Sequence, residues 1–168
     1  MPDLGTHVTV AWIAGRAAGW KGGGSWRTLA PFILGSALPD ILARAPHLTL
    51  RSPRVATLIQ GLHTPACLIL ACLALSFLWQ EKGRGRIFVA LLGGAAVHCL
   101  TDFFQIIWPG NYHWLFPFTR WSPQAELIHD DITVVYLPFL LALALILEVL
   151  HRRSAGRRGR LIPDGAER

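Results

Sequence analysis

Charge is what this 168-residue chain has least of: Asp, Glu, Lys and Arg make up 15% of it, against 52% apolar residues. An ordinary soluble domain carries about 25% charged residues, so one integral membrane domain is the better description. Paired cysteines are also missing. Cys67, Cys72 and Cys99 form no CxxC and sit in apolar surroundings, as small core residues do. There is no GxSxG, which argues against serine-esterase chemistry. "KGGGSW" at 21–26 lacks the strand-to-helix setting of a phosphate loop and reads as a turn between helices. The opening "MPDLGTHVTV" has an acid and a histidine where a cleavable signal has its basic region, so the first helix is expected to stay in the mature protein.

What is present is long uncharged sequence. Residues 62–79 have His63 as their only ionisable group, and residues 132–147 have none that is charged. Each run approaches the ~20 residues of a bilayer span. Helical segments are expected near 4–20, 28–43, 62–80, 87–107 and 131–150. The predicted fold is therefore all-α, a polytopic transmembrane bundle of about five helices. Residues 1–153 form the membrane domain, and residues 154–168 form a basic tail expected to be disordered.

The net charge of +6 collects at the ends of apolar segments, in "EKGRGR" and "HRRSAGRRGR". That pattern signals topology and attraction to anionic lipid; no nucleic-acid partner is expected. If the five segments alternate direction, Lys21, Arg27, Lys82, Arg84, Arg86, Arg152, Arg153, Arg157, Arg158 and Arg160 share one side. Arg44, Arg51, Arg54 and Arg120 share the other. Retention of positive charge in the cytoplasm then puts the carboxy terminus inside a plasma (inner) membrane and the amino terminus outside. Two tiers of tryptophan agree, with Trp20, Trp26 and Trp79 at the inner interface and Trp108, Trp114 and Trp121 at the outer one.

The same alternation brings His7, Asp40, His63, His98 and Asp102 to the outer side. His98 and Asp102 are four apart, so both project from one helix face and can reach one cation. Imidazole and carboxylate suit zinc or another first-row metal. An ionised Asp near the membrane core costs roughly 2.5–3.5 kcal/mol and needs a partner. A plain hydrogen bond to His98 would also provide one, and His7, Asp40 and His63 could each cap or open a helix. Convergence of all five at one depth favours the metal. His129, Asp130 and Asp131, just before the fifth segment, could complete such a site or form its solvated rim.

Taken in order, "GTH" at 5–7, "LPD" at 38–40, "GLHT" at 61–64, "AVHCLTD" at 96–102 and "WLFPF" at 114–118 resemble the LexA-regulated type of membrane-bound metal-dependent hydrolase family. The resemblance covers about two thirds of the chain. It implies divalent-metal ligands at His7, Asp40, His63, His98 and Asp102, and a hydrolytic activity. Leu42 stands where many relatives have a second acid, and Leu58 where many have a further histidine. A site that holds two metals elsewhere is expected to hold one here, unless His129, Asp130 or Asp131 compensates. His7, His63, His98 and Asp102 are then assigned to the metal, zinc foremost, with Asp40 as ligand or general base. The substrate expected at that depth is a phosphate or carboxylic ester of a membrane lipid. The alternative is a metal-binding or ion-conducting membrane protein without catalysis.

Overall fold

A computed structural model describes residues 4–18, 26–49, 61–105, 114–115, 118–119, 123–125 and 127–159. The named helices among these residues are α1 (Leu4–Ala17), α2 (Trp26–Thr49), α3 (Pro65–Ser76), α4 (Glu81–Phe103) and α5 (Asp130–Gly159). Among the described residues there is no strand, only an isolated bridge between Gln105 and Ile128.

The helix limits follow local chemistry more closely than apolarity. The α3 helix starts at Pro65, which needs no N–H partner in the first turn, behind a Thr64 cap whose hydroxyl also donates to the Gly61 carbonyl at 2.8 Å. The α4 helix begins at Glu81, six residues before the expected 87, because Lys82, Arg84 and Arg86 are good helix formers and an acid suits the first turn. The α5 helix runs through Ser154 to Gly159, so the start of the tail expected to be disordered is helical. Once a helix exists, extending it through Ala and Arg costs little. Residues 160–168 lie outside the described residues.

Among the described residues two helices are long and apolar enough to cross a membrane, 81–103 and 135–153. With 14 and 12 residues, α1 and α3 reach only about 21 and 18 Å, short of the ~30 Å hydrocarbon core. The distribution of side chains is that of a protein solvated by lipid. Phe139, Leu141, Leu145 and Ile146 on α5 are exposed, whereas His7, Asp40, His63, His98, Asp102 and Gln105 are buried. In water the reverse is the rule; in hydrocarbon, polar groups gather inside the bundle.

The principal interface joins α2 to α4. A Cβ on Gly94 would collide with the Phe32 carbonyl and lie 2.7 Å from the Ser36 nitrogen, and one on Gly35 would collide with the Leu91 carbonyl. The two backbones touch at these glycines, as small residues permit between helices in lipid. Below them Ala11, Phe32 and Ala90 pack together, while Leu38, Leu68, Cys72, Leu91 and Ala95 join α3 to the pair.

Among the described residues α5 packs on α1 alone. An Arg16 guanidinium nitrogen lies 2.9 Å from Glu148, and Arg16 also lies over the rings of Trp12 and Trp26. Arg152 donates to the other Glu148 oxygen at 2.9 Å. Replacing Glu148 with Ala deprives the half-buried Arg16 of its carboxylate while leaving its contacts with Trp12 and Trp26, and thermal unfolding in detergent is expected to show a loss of about 1.5–3 kcal/mol. The double replacement Arg16→Met with Glu148→Leu removes both charges and is expected to recover most of that loss. A double variant as unstable as Glu148→Ala would mean that packing, not charge, sets the effect.

Candidate metal centre

Each helix of the bundle core delivers its polar group to one end. His7 comes from the second turn of α1, Asp40 from α2 just after Pro39, His63 from the residue preceding the α3 cap, and His98 and Asp102 from the last turns of α4. All five are buried, His7 and His98 completely. The structure brings together the five residues that the sequence singled out. One ligand atom each from His7, His98 and Asp102 lie within 4.8 Å of one another, and so do those of Asp40, His63 and His98.

Asp102 is at the centre of the first group. Its Oδ2 lies 3.0 Å from His98 Nε2 and 3.9 Å from His63 Nε2, and its Oδ1 lies 3.2 Å from His7 Nε2. His63 and His98 face each other with Nε2 atoms 3.2 Å apart. The His7 ring is stacked on that of His98, with centroids 3.8 Å apart. Ligands held ~2.0–2.1 Å from a tetrahedral ion stand roughly 3.3–3.4 Å from one another. These separations are of that size.

The proton positions sharpen this. His98 Nδ1 is 2.8 Å from the backbone carbonyl of Ser36, which can only accept, so Nδ1 carries the proton. In the neutral ring the Nε2 lone pair is then bare, and it points at a carboxylate oxygen and at a second imidazole. Lone pairs aimed at one another repel unless a cation lies among them, either a metal ion or an added proton. A histidine fixed by a carbonyl on its far nitrogen is the usual outer support of a metal ligand. The donor set present fits a divalent first-row metal.

Ser36 was invisible to sequence reasoning, because the group that matters is a carbonyl that every residue has. Its position is set by Gly35, whose lack of a side chain lets α2 approach α4. The Ser36 hydroxyl donates to the His7 carbonyl at 3.0 Å, so one residue braces two of the histidines. Gln105 was also missed. It is buried one turn beyond Asp102, and its Oε1 meets no hydrogen-bond partner among the described residues. The i, i+3 spacing from Asp102 was the available signal.

His129 is exposed, unlike every member of the cluster, and is part of neither ligand group. The side chains of Asp130 and Asp131, and the whole of Leu58, lie outside the described residues. Leu42 is half-buried against the apolar core.

No curated protein and no solved structure matches the chain. A family model does, across residues 1–162, and it describes the LexA-regulated membrane family that the motifs resemble. With nearly its whole length matched, a lipid-facing exterior and a buried His and Asp cluster, the chain belongs to the YdjM inner membrane protein family.

Proposed function

We propose that the protein is a membrane metal-dependent hydrolase acting on an ester, of phosphate or carboxylate type, at the headgroup level of the bilayer. The observation that carries this reading is the convergence of the His98 Nε2 lone pair, the His63 imidazole and the Asp102 carboxylate within 3.0–3.9 Å, all three side chains being buried. A purely structural hydrogen bond between His98 and Asp102 would not require two more histidines and a second acid.

When bound, a divalent ion of this class lowers the pKa of a coordinated water toward ~7, supplying hydroxide at neutral pH. The chain's own groups do the rest. Asp102 and the three imidazoles offer the ligand atoms. Ser36 holds His98 in the tautomer that leaves Nε2 free. Asp40, in the ligand group with His63 and His98, is the remaining carboxylate and is assigned the proton of the attacking water, or a ligand position. Both ligand groups use His98, yet His98 has one nitrogen to give. We therefore assign one ion per chain, with zinc as the first to test.

Ion conduction is less well supported. The polar cluster occupies one end of the bundle, the Arg16 and Glu148 pair the other, and Ala11, Phe32 and Ala90 close the space between.

Metal analysis of detergent-purified protein is expected to give close to one equivalent per chain, and chelation is expected to abolish hydrolysis of phospholipid or carboxylic-ester substrates in mixed micelles. Folded protein that binds no zinc, manganese or other divalent ion on reconstitution would overturn the reading. For orientation, a reporter fused after Arg153 is expected to read cytoplasm, placing the cluster at the outer face. A periplasmic signal would move the substrate to the inner leaflet.

A further inference from the structure

A cleft of about 290 Å³ runs between α3 and α4. Its floor is Leu68 and Ala95, both almost fully buried, and its lips include Ile69, Ala96 and Leu100, which are exposed. The lining is almost wholly apolar. On α4 it extends from residue 92 to residue 100, about 12 Å at 1.5 Å per residue.

One end of this cleft belongs to the segments that carry the polar cluster. Pro65 follows His63 by two residues, and Cys99 follows His98 directly. Trp114 stands at the same end, meeting Phe103 edge-on at 6.0 Å and donating its indole N–H to the Pro123 carbonyl at 3.1 Å. A tethered indole is the usual marker of headgroup depth. From there the cleft leads along α4 toward the bilayer interior.

We propose that this cleft seats one acyl chain of a membrane phospholipid, with the chain's ester end beside His63 and His98. On α4, which is long and apolar enough to span the bilayer, the exposed lips Ala96 and Leu100 are apolar, so the open side of the cleft would face hydrocarbon. Excluding water contributes nothing there, so the cleft selects by shape. A chain held against Leu68 and Ala95 is also held in register with the polar cluster, which limits how far the ester can slide. The proposal rests on the hydrolytic reading for its purpose, but chain binding is measurable without turnover.

The test uses full-length protein in nanodiscs of phosphatidylethanolamine and phosphatidylglycerol, with a trace of phosphatidylglycerol bearing a diazirine on a mid-chain carbon. After irradiation, labels are expected to concentrate several-fold on residues 65–69 and 92–100 over the equally lipid-exposed Phe139 and Leu145 of α5. Ala96→Trp and, independently, Ile69→Trp extend from the exposed lips across the cleft and are expected to cut that labelling several-fold while bound metal stays unchanged. Val89→Trp, exposed on α4 outside the cleft, is expected to leave it as in the wild type. Labelling spread evenly over α3, α4 and α5, or unaltered in both cleft variants, would overturn the proposal. Cleft labelling without any hydrolysis would remove the enzymatic reading and keep the chain seat. Metal and hydrolysis with even labelling would remove the seat alone.

Discussion

His98→Ala and Asp102→Ala are each expected to lower metal affinity by at least about 100-fold, beyond the roughly 10–100-fold that follows loss of an outer support, and to bring the proposed hydrolysis to background. The reason is geometric. Asp102 is within 4 Å of three imidazoles, and His98 is shared by both ligand groups. Removing His98 breaks both groups of three, and removing Asp102 breaks the group it centres. His151→Ala, on the cytoplasmic side of α5 in the proposed orientation, is expected to change neither quantity. The joint replacement of His98 by Leu and Asp102 by Ala separates the two explanations of the cluster. If the pair served only as a hydrogen bond, taking away both partners would cost stability, because His7, His63 and the Ser36 carbonyl lose the atoms they face, but would leave bound metal and any activity unchanged. A double variant that folds, keeps one equivalent of metal and still hydrolyses would return these residues to packing.

Gly94→Val is expected to prevent folding outright. A Cβ there meets the Phe32 carbonyl and the Ser36 nitrogen, both backbone atoms in the middle of a helix, so no rotamer change relieves it. Overpacking of a core by side chains costs about 1–3 kcal/mol; forcing two backbones apart exceeds that. The separation would also withdraw the Ser36 carbonyl from His98, so any protein recovered is expected to lack metal. Gly83→Ala and Gly85→Ala provide the contrast, since nothing lies within 4 Å of a Cβ at either place. Each is expected to stabilise the helix by about 0.5–1 kcal/mol. Detergent-stable monomer yield and thermal unfolding measure all three. A Gly94→Val protein as stable as the wild type would mean that the α2 and α4 contact is looser than described.

The members of the polar cluster were readable because they break a pattern: a histidine or an acid is costly in a run of Leu and Ala, and His98 with Asp102 has helical spacing. The helix limits were less readable, since apolarity alone assigns 87 as the start of α4 and overlooks that Lys82, Arg84 and Arg86 extend a helix beyond the hydrocarbon. Gly35 and Gly94 could not be told from the other glycines by sequence, because what distinguishes them is the partner backbone and not the residue. The same holds for the Ser36 carbonyl. The cleft depends on which faces of α3 and α4 are left uncovered, and that is a property of their packing angle.

Ser36 has one further consequence. Because it contacts His7 of α1 and His98 of α4 from α2, no fragment of the chain that ends before α4 can contain a complete cluster. During synthesis the amino-terminal histidine therefore waits, while more than half of the polypeptide leaves the ribosome, for the groups that complete it. A nascent chain stalled in the translocon offers no finished pocket to scavenge metal from the periplasm or cytosol. Under the proposed function, acquisition of the ion would be a maturation step coming after helix insertion, and a metal-loaded molecule would be one whose first four helices had already assembled.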